Sequence, residues 1–155
     1  MDPDSLLEAA RAGAPRPAGT RPEVAPATGP YSNVLRLSGQ IAVVKGELLA
    51  TGLVGAEVDL ATARACARQC AINLLDVARR ELGGLAAVQA VARLRVYVAG
   101  QPGFTDQHLV ADAATDLVHE VLGAVPHART ALGVAALPKG SPVEVDADLI
   151  VRDHR

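Results

Sequence analysis

The chain of 155 residues carries a formal net charge of −2, and half of it is hydrophobic, with one Phe, two Tyr and no Trp. That length reads as one domain around a core of Ala, Val and Leu. A near-neutral charge without a basic run or stacking aromatics argues against nucleic acid as the main partner, and no apolar run is long enough for a bilayer or a signal peptide, which points to the cytoplasm.

Residues 1–20 read as an N-terminal extension ahead of a single domain over 21–155. Within the extension, Asp4 to Ala12 has the pattern of a short helix capped by Asp4 or Ser5. Gly13 to Pro30 is dense in Pro, Gly and Ala and reads as an extended arm. After the turn at Gly29-Pro30-Tyr31-Ser32, Val34 to Gln40 is a first strand. Ile41 to Val44 and Glu47 to Leu49 make a second strand or hairpin. Gly52 to Gly55 is a loop.

Asp59 caps the longest predicted helix, which runs to about Leu82 and stops at Gly83-Gly84. Ala63, Ala67, Cys70, Leu74 and Val77 form its apolar stripe, and Arg64, Arg68, Arg79 and Arg80 a solvated face. Val91 to Ala99 is a strand with Ala92, Leu94, Val96 and Val98 inward and Arg93, Arg95 and Tyr97 outward. Thr105 caps another helix to about Leu122, burying Leu109, Val110, Ala113, Leu117, Val118 and Val121. Cys66 and Cys70, neighbours on one helix, read as small buried hydrophobes rather than a disulfide. His108, His119, His127 and His154 form no motif, and no metal site is expected.

From His127 to Val151 two alternating runs flank Pro138-Lys139-Gly140-Ser141-Pro142, the pattern of two half-buried strands. On the first, Thr130, Leu132 and Val134 share one face. Arg129, Ala131, Gly133 and Ala135 share the other, read as the one away from the core. An arginine among side chains that small leaves a hollow with a bidentate donor at its rim, suited to a small carboxylate. On the second run Val143, Val145, Ala147 and Leu149 face the core, and Glu144, Asp146 and Asp148 face out. The order β-β-α-β-α-β-β describes an α+β fold, a mostly antiparallel sheet with two helices on one face. The open face, carrying Arg93, Arg95, Tyr97, Arg129 and the three carboxylates, suits solvent or a neighbouring subunit.

His127-Ala128-Arg129-Thr130, Val134-Ala135-Ala136-Leu137-Pro138 and Val143-Glu144-Val145 together resemble the signature of the Rid family, also called YjgF or UK114. The likeness extends to Gly29-Pro30-Tyr31, Ser38-Gly39-Gln40-Ile41 and Pro102-Gly103-Phe104, collinear from Arg21 to Val151. It looks closer to a less studied branch than to the best-known imine deaminases. The resemblance implies a chorismate-mutase-like fold, a homotrimer with clefts between subunits, and no cofactor. It also implies hydrolysis of reactive enamine and imine acids, such as 2-aminoacrylate, to 2-oxo acids and ammonia.

In that reading Arg129 binds the substrate carboxylate and Glu144 orients or deprotonates water. Tyr31, Ser38, Gly39 and Ala131 line the cleft. Ala131 stands where family members often carry cysteine, and Asp112 falls where an asparagine is expected, which leaves the substrate open. Three alternatives accompany it: a trimer that binds a small acid without turnover, an enzyme steering an imine into ring closure, and a ribonuclease. The charge and the scattered histidines disfavour the last.

Overall fold

The computed structural model describes residues 2–11, 27–31 and 33–152. A short helix α1 (Pro3–Ala10) is followed by strands β1 (Ala27–Tyr31), β2 (Val34–Ile41), β3 (Val43–Val44) and β4 (Glu47–Leu48). Helix α2 (Leu60–Leu82), strand β5 (Val88–Ala99), helix α3 (Gln107–Leu122) and strands β6 (Ala128–Val134) and β7 (Val143–Val151) complete the chain. Five strands form one sheet in the order β1-β2-β7-β5-β6, and β3 pairs only with β4. All pairs in the large sheet are antiparallel except β5 with β6. A parallel pair needs a long crossover, and α3 supplies it.

The core lies between α2, α3 and one sheet face. Asp59 caps α2 by accepting from the Thr62 amide at 2.7 Å, and Gly83 closes it at φ 70°, a left-handed conformation that favours glycine. The predicted stripe Ala63, Ala67, Cys70, Leu74 and Val77 is buried against Leu94, Val96, Val98, Val143, Val145, Ala147 and Leu149. Both cysteines are free and buried, as small hydrophobes. Burial pushes the Cys66 thiol up to about 11 and the Cys70 thiol well above its ordinary value, so neither is a nucleophile at neutral pH.

Several expectations are corrected. The end of the Pro-rich arm is a strand: β1 pairs with β2 through Ala27 opposite Leu37 and Tyr31 opposite Val34; the rest of the arm lies outside the described residues. The arginines of α2 are not simply solvated. Arg68 pairs with Glu120 of α3 at 2.8 Å, and Arg64 donates to the Leu109 carbonyl. Arg79 and Arg80, with Arg11 just after α1, converge on Asp76, whose side chain is 2% exposed.

Ala92 is exposed instead of inward, because a bulge between Val91 and Arg93 inserts one residue opposite β7, and Val91 takes the buried position. Leu109 is only half-buried, while Ala111 and Ala114 join the buried face of α3. Helix α1 is capped by Asp2, not Asp4 or Ser5. Asp4 instead accepts the Leu85 amide, and Leu7 beneath it is fully buried. No helix among the described residues is long and apolar enough to cross a membrane.

Candidate functional site

Arg129 does not point to the open face. In the β5–β6 register it lies beside Leu94, which on β7 meets Ala147. Residues directly opposite in a ladder project to the same side, so Arg129, Ala131 and Gly133 face the helices, and Thr130 and Leu132 face away. The alternation was legible but its sense was not. Leu132, expected in the core, is 48% exposed. The small side chains that appeared to frame a hollow are covered: Ala131 packs against the core, and a Cβ on Gly133 would meet Gln107 Nε2 at 2.9 Å.

A hollow exists at the other end of the strand. Asp112, Thr115 and His119 recur on one face of α3 and overhang the start of β6. Arg129 Nη1 donates to Asp112 Oδ1 at 2.7 Å and to Thr115 Oγ1 at 3.1 Å. Its Nε and Nη2 make no hydrogen bond with the described residues. Arg129 borders a hollow of about 220 Å³, together with Thr115, His119, Pro126 and His127. One guanidinium nitrogen is thus anchored while the two-nitrogen edge that matches a carboxylate is unspent.

Two histidines, read as scattered, meet here. The His119 and His127 rings contact edge to face, 5.2 Å between centroids and 79° between planes. His119 Nε2 and His127 Nδ1 are buried without a hydrogen-bond partner. Burial holds the His127 imidazole below its ordinary pKa of 6.5, opposed by the Val125 carbonyl and reinforced by His119 and Arg129. The only available signal in the chain was their position either side of the reversal at Gly123–Pro126.

Glu144 stands on the opposite sheet face, beside Tyr97 of β5 and Ile41 of β2. A bulge in β2 between Leu37 and Gln40 sets Ser38 and Gly39 next to it. A Cβ on Gly39 would lie 1.9 Å from Glu144 Oε1 and 2.8 Å from its Cδ, so a side chain there would push the carboxylate from its present position. The Ser38 carbonyl accepts from Gln40 Nε2 at 3.1 Å.

Burial, then the neighbouring Asp146 charge, holds the Glu144 carboxyl above its ordinary value. Arg95 cannot relieve it, because that guanidinium is already shared by Asp146 and Asp148. Tyr97 donates its hydroxyl to Asp146 at 3.1 Å. Tyr31 sits in β1, and its side chain lies outside the described residues. One chain therefore assembles two half-sites, Arg129 with Asp112 and Glu144 with Gly39 and Ser38. They are set two strands and three residues apart, roughly 10 Å in each direction on opposite faces.

A mixed sheet with two long helices on one face, and an arginine fixed between its edge strand and the second helix, defines an α+β protein of the chorismate-mutase-like, YjgF type. The chain belongs to the endoribonuclease L-PSP family, the YjgF/UK114 or Rid family, whose model matches residues 22–151. It is 41% identical over 130 residues to Protein TCP17 of Trypanosoma cruzi, covering 79% of this chain and 81% of that protein. Atu1372 of Agrobacterium tumefaciens, a protein of unknown function, is 36% identical with a TM-score of 0.87, covering 97% of this chain and 95% of that one. The YjgF gene product of E. coli shares the fold at a TM-score of 0.61 and 23% identity, over 88% of this chain and 94% of the other.

Proposed function

We propose that this chain hydrolyses small enamine and imine acids to 2-oxo acids and ammonia without a cofactor, as a homotrimer whose active sites are shared between subunits. The observation that carries the reading is the state of Arg129: Nη1 tied to Asp112 and Thr115, Nε and Nη2 without a hydrogen bond to any described residue, beside a small hollow. A guanidinium anchored at one corner loses little entropy when a carboxylate docks on its remaining edge.

The chemistry is simple in bond terms. The enamine tautomerises to the imine, which takes up one proton at nitrogen to give the iminium form whose carbon is electrophilic. Glu144 takes a proton from water as the water oxygen bonds to that carbon, and the C=N π pair moves to nitrogen. The resulting carbinolamine collapses as its nitrogen receives a proton from Glu144. The C–N bond breaks and ammonia leaves as the hydroxyl O–H proton passes back to the Glu144 carboxylate and the C=O bond forms. That proton is the one the next imine nitrogen takes up. A carboxyl raised towards the working pH by burial is better matched to both transfers than an ordinary one. Because Arg129 and Glu144 of one chain face opposite ways, one substrate meets both only at a subunit boundary. Ser38, Gly39, Asp112 and Tyr31 would line such a cleft, whereas Ala131 is taken up by the core.

The family's name speaks of an endoribonuclease, and adjacent histidines favour that second reading. Acid and base in such a reaction sit on either side of a phosphate, whereas His119 and His127 touch edge to face at 5.2 Å. A phosphate does not fit between them, and the deaminase reading is preferred.

Ammonia release from 2-aminoacrylate generated in situ tests the proposal. The protein should accelerate it, and Arg129→Ala should lower kcat/KM by about a hundredfold or more. Binding of 2-oxobutyrate without acceleration would replace the enzyme with a small-acid binding trimer.

A further inference from the structure

We propose that the hollow beside Arg129 is a two-point anion site, in which Arg129 takes one carboxylate and the His119–His127 pair takes a second acidic group of the same ligand. This rests on reading Arg129 as a carboxylate binder, and it narrows the ligand class to small dicarboxylic imino and oxo acids.

The lining of the hollow carries the argument. Besides Arg129 and Pro126 it consists of Thr115 and the two imidazoles, so its only other polar groups are hydrogen-bonding ones. Both imidazoles line the hollow; His119 Nε2 and His127 Nδ1 are buried away from it, so the second acidic group would meet the other nitrogen of each ring. No carboxylate among the described residues forms an ion pair with either ring.

The carboxylates nearby are committed elsewhere. Asp112 is spent on Arg129 at 2.7 Å. Asp116 and Glu120, which flank His119 on α3, turn to α2 and pair with Arg64 at 3.8 Å and Arg68 at 2.8 Å. His127, just before β6, therefore faces Arg129 of that strand, His119 on α3 and the Val125 carbonyl before it, with no countercharge among the described residues. In the free protein a proton on this ring adds a second cation beside Arg129. A ligand carrying a second carboxylate supplies the missing charge, so its binding draws in a proton.

Calorimetric titration with 2-oxoglutarate and 2-oxobutyrate, at about pH 6 and pH 8 and in buffers of different ionisation enthalpy, tests this. The dicarboxylate should bind about tenfold more tightly at the lower pH, with proton uptake, and the monocarboxylate should show a shallower dependence. His127→Gln, and independently His119→Asn, should lower the affinity ratio of the two acids and flatten its pH dependence. His108→Gln, exposed on α3, is the control and should do neither.

Equal binding of both acids with Arg129 still required would overturn the two-point site and leave the Arg129 reading intact. A ratio unmoved by either histidine substitution would overturn it as well. Failure of both acids to bind would remove the two readings together.

Discussion

Gly39 lies directly beneath the carboxylate of Glu144, so close that a methyl group at residue 39 would occupy space Glu144 Oε1 now fills, at 1.9 Å. The β2 bulge and the absence of a side chain jointly set where the proposed base sits. Gly39→Ala should therefore act through Glu144 rather than through backbone strain. We expect a loss of about 1–3 kcal/mol in stability from overpacking, with a fall in deaminase turnover. In a Glu144→Ala background the same substitution should cost much less. A double-mutant cycle by urea denaturation measures the coupling, and additive costs would show that Gly39 does something else.

Subunit sharing makes a prediction that no single-chain site makes. Arg129→Ala and Glu144→Gln should each be inactive as pure proteins. Mixed by co-refolding, they should form trimers in which some boundaries pair an intact arginine with an intact glutamate. Random assembly gives about one quarter of the wild-type activity. Ammonia release from the mixture, against the two parents, checks it. No recovery would mean that each chain uses its own two groups or only one of them.

Two titrations should be visible in stability. Burial and Asp146 raise the Glu144 carboxyl above its ordinary 4.5, so the folded protein holds that proton more tightly than the unfolded chain. The stabilising contribution is complete below 4.5 and is lost as pH rises through the folded pKa. His127 has the opposite sense. Its folded pKa is lowered below 6.5, so its contribution is present above 6.5 and is lost as pH falls through the folded value. Relative to Glu144→Gln, the wild type should lose denaturation midpoint on going from about pH 4 upward; relative to His127→Gln, it should lose it on going from about pH 7 downward.

What the sequence disclosed was whatever it signalled more than once. Helix α2 carries a capping aspartate, a stripe of small apolar residues and a left-handed terminal glycine, and β7 alternates without a break; both are found as expected. Strand β1 carries no such signal, because its order comes from pairing with β2 and not from its own Ala, Thr, Gly and Pro. The face of Arg129 was lost for a different reason. Alternation groups residues without saying which group is inside, and on an edge strand only the position of α3 decides. The meeting of His119 and His127 depends on how the chain reverses after α3, which no local pattern fixes.

Asp76 offers a test of how the N-terminal helix belongs to the domain. Its side chain is 2% exposed, and three arginines reach it: Arg11 at 2.6 Å, Arg79 at 2.9 Å and Arg80 at 3.1 Å. The arginines differ in what they stand to lose. Arg11 is 12% exposed and arrives from α1, whereas Arg79 and Arg80 are 31% and 38% exposed on α2 itself and can turn to water. Asp76→Ala removes the buried carboxylate on which three guanidinium groups converge and should cost about 3–5 kcal/mol. Arg80→Ala leaves two partners in place and should cost about 1 kcal/mol or less. The Asp76 variant should also loosen α1, because the ion pair beside its last turn is gone, while Leu7, the Asp4–Leu85 contact and the Arg79–Glu8 pair remain. Urea denaturation gives the two costs, and hydrogen exchange over Pro3–Ala10 reports the loosening. Native protection of that helix in Asp76→Ala would show that Leu7 and the Asp4–Leu85 contact hold it without the ion pair.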